Sequence, residues 1–284
     1  IRLMHAAVDM GVNFFDNAWE YHNGYAEEVM GRALAMDGKR KDTFLMSKVC
    51  NRDYAGALEH LEDSLRRLQT DYLDLWMFHE LSYDNDPDWL FERGAVKAAM
   101  EAKAAGKVRY IGASNYPAWR LMEAQAASDK HGLARFDCYQ PQYSLVERQL
   151  FEYEAMPFCK HHGVGVIPYS PLAGGFLTGK YRRDNARPES VRAGGNLENY
   201  GNERGWAIID ALDEIGKAHG KTVAQTALAW QLTNPVITAP IIGANTSEQL
   251  MDLLGAAGYR LSGEEMARLN ETTKWPRNGR PIWD

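Results

Sequence analysis

Short apolar runs rich in β-forming residues alternate with stretches of helical periodicity along most of the 284-residue chain. Seven runs predict strands, at 12–16, 44–49, 73–79, 109–114, 136–142, 164–170 and 239–243. Between them, apolar residues at helical spacing predict helices at 27–35, 55–68, 96–105, 119–131 and 150–162, several followed by a capping glycine at 106, 132 or 163. The strands are too apolar to leave one face in water, which indicates a parallel sheet covered by helices. With right-handed crossovers, this α/β pattern predicts a βα barrel.

A barrel of this kind has eight strands, and only seven are visible. Residues 1–10 read as a helix that leads directly into the first visible strand, and the chain opens with Ile1 rather than Met. We therefore predict one barrel domain over 1–284 that is N-terminally incomplete and has its first strand missing. The longest irregular segment, 181–202, is rich in Arg, Gly and Asn and predicts a mobile loop over the barrel mouth.

Composition argues against several classes of binding partner. The net charge is −6 with no basic block, which argues against nucleic acid or an acidic membrane surface. The three cysteines have no metal-ligand spacing, so no metal site is predicted, and their odd number favours a reducing cytoplasmic location. No apolar run is long enough to span a bilayer. A small molecule is therefore the expected partner, whereas the oligomeric state is not readable from the sequence.

Four chemically active side chains lie at or just beyond the ends of three consecutive predicted strands. They are Asp16, Tyr21, Lys48 and His79. In βα barrels, reactive groups gather at the carboxyl ends of the strands, so we expect these four to meet at the barrel mouth. Alternate residues of a strand share a face, which would place Lys48 and His79 above layers of apolar side chains.

Together the four groups can form an acid catalyst. A tyrosine alone is a poor proton donor at neutral pH, but a nearby ammonium stabilises its phenolate and a carboxylate holds the ammonium charged. An imidazole can donate a hydrogen bond to a carbonyl oxygen. These parts suit reduction of a carbonyl, with the hydride coming from a cofactor.

Each residue also has an ordinary structural interpretation. Asp16 could cap the following segment, Tyr21 could be a rim aromatic, Lys48 a solvated strand end and His79 a structural histidine. Only their joint occurrence favours catalysis. A barrel hydrolase or isomerase is a further alternative, but the sequence has no paired carboxylates to support one.

Several segments in order along the chain resemble the aldo-keto reductase superfamily. They are GVNFFDNAWEYHNGYAEEVMGRAL, SKV, SLRRLQTDYLDLWMFHEL, AGKVRYIGASNY, QPQYSLVER, GVIPYSPLAGGFLTGKY and PIIGANTSEQL. The resemblance implies a (β/α)8 TIM barrel and nicotinamide-dependent reduction of aldehydes and ketones. It also implies a catalytic tetrad of Asp16, Tyr21, Lys48 and His79, with Tyr21 as the acid. The alternative within this superfamily is a cofactor-binding regulatory or channel-associated relative with little activity, in which histidine is typically absent at the position of His79.

The resemblance also implies the cofactor contacts. Residues expected at the nicotinamide are Ser114, Asn115, Gln140 and Tyr169; at the pyrophosphate, Ser170, Leu172 and Gly174; and at the adenosine, Gly243, Asn245, Thr246 and Gln249. Many relatives have an arginine in place of Asn245 that grips a 2′-phosphate, and an amide lacks its charge and planar fork. We therefore expect NADP as cofactor, with NAD also possible.

Overall fold

The computed structural model describes residues 1–79, 87–183 and 192–274. Its internal contacts divide the chain into two compact units. The first contains Ile1–Pro141, Glu154–Ile167 and Ala244–Leu250, and the second contains Gln142–Tyr153, Pro168–Gly243 and Met251–Asp284. The prediction of a single domain over 1–284 stays a prediction.

The first unit is built on a six-stranded parallel sheet in sequential order, a curled half-barrel. Its strands are β1 (Phe14–Asp16), β2 (Phe44–Val49), β3 (Leu73–Phe78), β4 (Val108–Ser114), β5 (Cys138–Gln140) and β6 (Gly165–Val166). All six residues of β3 are buried, as are five of the six in β2, so both faces of these central strands are covered. This confirms the predicted α/β class and parallel sheet. The complete eightfold barrel stays a prediction.

Helices follow the strands as the periodicity predicts. They are α1 (Arg2–Asp9), α2 (Tyr25–Ala35), α3 (Tyr54–Leu68), α4 (Pro87–Glu92), α5 (Ala95–Ala104), α6 (Ala118–His131), α7 (Met156–His162), α8 (Ala193–Tyr200), α9 (Glu203–Ala218), α10 (Val223–Thr233), α11 (Ser247–Leu254) and α12 (Gly263–Thr272). The capping glycines at 106, 132 and 163 all have positive φ, as predicted. None of the helices among the described residues combines the length and the apolar character that crossing a bilayer requires.

Prolines explain one of the differences from the predicted elements. The prediction of a strand over 239–243 is wrong: Ile241 donates one backbone hydrogen bond to the Pro168 carbonyl at 2.8 Å, but no strand forms. Pro240 lacks the N–H that a ladder needs, and Pro168 likewise lies beyond the short strand β6. The predicted helix over 150–162 is helical throughout but begins with a π turn at Phe151–Ala155 before α7, and Pro157 lies in the first turn of α7, where a missing N–H is tolerated.

The predicted loop over 181–202 is partly a helix. Residues 184–191 lie outside the described residues, but α8 occupies Ala193–Tyr200. Asn196 is buried and donates to the Gly174 carbonyl at 3.1 Å and to the Tyr181 hydroxyl at 3.0 Å. These tertiary contacts stabilise a helix that the Gly- and Asn-rich composition did not predict.

Close packing of α2 on α3 predicts that Gly31→Ala destabilises the protein. An added Cβ would lie 2.2 Å from the Arg67 carbonyl oxygen and 2.7 Å from the Leu68 Cα, which forces the helices apart. We expect a loss of about 1–3 kcal/mol in the free energy of unfolding, measured by urea titration. The matched control is Gly195→Ala in α8, where an added Cβ meets nothing within 4 Å. That variant should gain up to about 1 kcal/mol from helix propensity. Equal changes in the free energy of unfolding for Gly31→Ala and Gly195→Ala would contradict the packing argument.

Candidate active site

Lys48 lies at the centre of the site, on β2, and its side chain is fully buried. Its ammonium donates to the Asp16 carboxylate at 2.6 Å, to the Asn17 carbonyl at 2.9 Å and to the Tyr21 hydroxyl at 3.3 Å. A buried ammonium is costly unless it is paired and hydrogen-bonded, and these contacts supply both. The alternative interpretation of Lys48 as a solvated strand end is therefore wrong.

Asp16 ends β1, where parallel pairing places it opposite Met46 of β2. One carboxylate oxygen accepts from Lys48, and the other accepts from the Gln140 amide at 3.3 Å. Asp16 thus links the ends of β1, β2 and β5 within one hydrogen-bonded group.

Tyr21 begins a tight turn, Tyr21–Gly24, that returns the chain over the strand ends. His22 and Asn23 both have positive φ, which makes the turn compact. The phenol ring packs edge-on against His79 with centroids 5.6 Å apart, and the Lys48 ammonium lies 4.8 Å from the Tyr21 ring centroid. Tyr21 is 39% exposed, so its hydroxyl is held by a buried cation while the ring borders solvent.

His79 follows β3, and its backbone N–H donates to the Val49 carbonyl at 2.9 Å. The imidazole Nδ1 lies 2.8 Å from a Glu20 carboxylate oxygen and 4.0 Å from the Cys50 sulfur. Arg52 donates to the carbonyl oxygens of both Val49 and His79, and thus ties the ends of β2 and β3 together. The structure therefore brings all four predicted catalytic side chains together.

Glu20, Cys50 and Arg52 are neighbours of the site that the sequence analysis missed. Each lies within four residues of a predicted catalytic residue, and this proximity was the only signal in the sequence. Burial, followed by a hydrogen bond to Glu20, raises the pKa of Cys50 to about 12. Burial also lowers the pKa of the Arg52 guanidinium.

Ser114, Asn115 and Gln140 lie together where β4 and β5 end. Ser114 Oγ donates to the backbone carbonyl of Gln140 at 3.3 Å and to its side-chain oxygen at 3.4 Å, and both residues are buried. Asn115 has a φ of 57° and donates its N–H to the same carbonyl at 3.1 Å. Through the Gln140 amide this polar group is continuous with Asp16.

In the second unit, the predicted pyrophosphate residues form a tightly wound turn. Tyr169 accepts from the Tyr143 N–H at 3.3 Å, and after it Ser170, Ala173, Gly174 and Gly175 all have φ between 50° and 98°. The Lys180 ammonium lies close to Gly175, where an added Cβ would approach it to 3.3 Å. Backbone turned repeatedly in this way, beside a cation, suits a phosphate group. Leu172 is buried, and Gly243 lies outside regular structure.

Asn245, Thr246 and Gln249 form the N-terminal cap of α11. The Asn245 N–H donates to the Gln249 side chain at 2.9 Å, and the Gln249 N–H donates to Thr246 Oγ1 at 3.2 Å. Such reciprocal capping holds all three residues in place. These hydrogen bonds give the three residues a structural role at the start of α11. Their contact with the adenosine stays a prediction.

Comparison with known proteins shows the family. The model of the "Aldo/keto reductase family" matches residues 1–274. The chain is 35% identical over 300 residues to an uncharacterized oxidoreductase YrpG of Bacillus subtilis, covering 99% of this chain and 88% of that protein. It is 32% identical to the protein tas of Escherichia coli, covering 93% and 86%, and 34% identical to a probable voltage-gated potassium channel subunit beta of Arabidopsis thaliana, covering 87% and 78%. The chain belongs to the aldo/keto reductase family, which confirms the resemblance found in its sequence.

The raised pKa of Cys50 predicts slow alkylation of the native protein by iodoacetamide. With a pKa of about 12, the thiolate fraction at pH 8 is roughly 10⁻⁴, and the rate should rise about tenfold per pH unit between 7 and 10. Burial also raises the pKa of Cys138, and it raises that of Cys159 to about 12. Peptide mass spectrometry should therefore detect rapid labelling of all three only in denaturant. If Cys50 in the native protein were labelled as fast as in the denatured chain, that result would contradict a buried thiol with a raised pKa.

Proposed function

We propose that this chain reduces an aldehyde or ketone to an alcohol, with Tyr21 as the general acid. The observation that supports this most strongly is the Lys48 ammonium, buried between the Asp16 carboxylate and the Tyr21 hydroxyl. Packing alone does not require a buried cation on a phenol that borders solvent. Membership of a family of oxidoreductases supports the same reaction class.

The proposed proton transfer follows from these contacts. Tyr21 Oη gives its proton to the carbonyl oxygen as negative charge develops there, and the electron pair of the O–H bond stays on the phenolate. The Lys48 ammonium, 3.3 Å away, stabilises that phenolate, while Asp16 holds the ammonium in place. His79, whose ring packs against Tyr21, positions the carbonyl oxygen for this transfer. The substrate is a small-molecule carbonyl compound.

The donor groups fit a nicotinamide cofactor. A carboxamide needs both hydrogen-bond donors and acceptors, which the buried Ser114 and Gln140 and the partly exposed Asn115 offer together. Tyr169 is proposed to stack on the nicotinamide ring, and the turn containing Ser170, Leu172 and Gly174 to bind the pyrophosphate. Gly243, Asn245, Thr246 and Gln249 are proposed at the adenosine. When bound, reduced NADP or NAD supplies the hydride to the carbonyl carbon.

We make two broader proposals, one about the fold, which rests on the family, and one about the location of the protein, which rests on its cysteines. We propose that the complete fold is the family's (β/α)8 barrel. The described cysteines form no disulfide, which supports a reducing, cytoplasmic location.

The regulatory, channel-associated alternative is not favoured. The name of the Arabidopsis relative describes that protein as a channel subunit. In this chain the four predicted catalytic side chains are assembled around Lys48, and His79 is among them. A regulatory role has no comparable geometric support.

Tyr21→Phe should lower kcat/KM for carbonyl reduction by about 10²–10⁴-fold and leave only a small residual rate, because phenylalanine has no proton to give. Cofactor binding should change little, since the substitution removes one oxygen atom. Oxidation of NADPH, followed by absorbance with a panel of aldehydes and ketones, measures the rate, and fluorescence titration measures binding. The matched control is Tyr25→Phe, which removes a hydroxyl from an exposed tyrosine four residues away. Reduction by Tyr21→Phe at near the wild-type rate would exclude Tyr21 as the acid.

The uncharged side chain of Asn245 predicts a weak preference between the two cofactors. Affinities for NADH and NADPH should lie within about tenfold of each other, or roughly 1.4 kcal/mol. Fluorescence titration of wild type and of Asn245→Arg provides the comparison, and the arginine should shift the preference toward NADPH. A much larger preference for NADPH in the wild type would instead assign the 2′-phosphate to another cation, such as Lys180.

A further inference from the structure

Three side chains of types that can bind a metal ion, from three different segments, come together beside Tyr21. They are Glu20, Cys50 and His79, and their ligand atoms all lie within 4.8 Å of one another. Glu20 Oε1 is 2.8 Å from His79 Nδ1, and Cys50 Sγ is 4.0 Å from the same nitrogen. No motif in the sequence indicates this cluster, because the three residues are separated by 30 and 29 positions.

We propose that Glu20, Cys50 and His79 form a binding site for a thiophilic divalent cation, with Zn²⁺ as the best fit. Zinc is bound by carboxylate oxygen, thiolate sulfur and imidazole nitrogen, at about 2.0–2.3 Å. In a tetrahedral site these bond lengths place the ligand atoms about 3.3–3.7 Å apart. The observed separations bracket that range, so small side-chain rotations are sufficient. Three protein ligands leave a fourth position for water.

The surrounding charges are compatible with a bound cation. Glu20 and the Cys50 thiolate each supply one negative charge. The Lys48 ammonium is already paired with Asp16. The Arg52 guanidinium donates to three neutral backbone carbonyls and keeps its charge, so Glu20, the Cys50 thiolate and Arg52 together offer one net negative charge to the cation. Glu20 is half exposed, which gives the cation access from solvent.

Binding exchanges a proton for the metal ion at Cys50. The neutral thiol loses its S–H proton to water, and the sulfur electron pair forms the bond to Zn²⁺, so no oxidant or reductant is required. His79 binds as a neutral imidazole, so the proton that Nδ1 shares with Glu20 moves to the other ring nitrogen and is not released. One proton should therefore be released for each ion bound through sulfur.

The cation would also hold His79 away from a carbonyl oxygen. This consequence rests on the proposed function: Zn²⁺ should inhibit reduction by engaging the imidazole that positions the substrate. The proposed zinc site does not depend on that function, because X-ray absorption can identify its ligand atoms directly.

Zinc K-edge X-ray absorption on the protein with one equivalent of Zn²⁺ tests the site. We expect one sulfur neighbour at about 2.3 Å and nitrogen or oxygen neighbours at about 2.0–2.2 Å. Cys50→Ser should remove the sulfur neighbour, and competition with a chromophoric chelator should show an affinity at least about tenfold lower. Cys159→Ser removes a thiol elsewhere and should leave both results unchanged. Glu20→Gln keeps the sulfur but should weaken binding, which provides a second variant if Cys50→Ser does not fold.

Two results would overturn the site: a zinc shell of nitrogen and oxygen alone in the wild type, or a sulfur neighbour that persists in Cys50→Ser. The ratio of reduction rates with and without Zn²⁺ tests the inhibition separately. Sulfur ligation in a protein that reduces no carbonyl would support the metal site and count against the proposed function.

Discussion

The arrangement of the site depends on one buried cation. Lys48 has no exposed side-chain surface, and removing an ammonium from water costs several kcal/mol unless its protons are bound. Asp16, Asn17 and Tyr21 satisfy that requirement, so the end of β1 and the turn after it are fixed relative to β2. The contacts that offset the cost of burying the Lys48 ammonium also direct it at the Tyr21 hydroxyl, where it can stabilise a phenolate.

The sequence was sufficient for the parts of the structure that depend on short-range pattern. Strand ends in a parallel sheet share one edge, and that rule alone placed Asp16, Lys48 and His79 together. Helix bounds and glycine caps followed from periodicity and from backbone preferences. The family resemblance then assigned roles to residues such as Gln140, and its contact with Asp16 is consistent with a place in the site.

The structural features that the sequence did not predict have two causes. Some depend on contacts between distant segments, and one depends on the missing backbone N–H of a proline. Pro240 lies in an apolar run whose composition indicates a strand, yet it cannot complete a ladder. The helix α8 forms from a Gly- and Asn-rich segment because Asn196 is bound by Gly174 and Tyr181. Glu20 and Cys50 have no motif of their own. The β2–β3 register, in which Val49 lies opposite Phe78, places Cys50 beside His79, and the turn at Tyr21 brings Glu20 to them.

The most direct test of the central claim is a double-mutant cycle on Asp16 and Tyr21, read as kcat/KM for carbonyl reduction. If the carboxylate acts through Lys48 on the phenol, Asp16→Asn should reduce the rate in the wild type but have little further effect in Tyr21→Phe. The double variant would then be about as slow as Tyr21→Phe alone. Losses that simply add would contradict the account, because they would mean that Asp16, Lys48 and Tyr21 do not act as one unit.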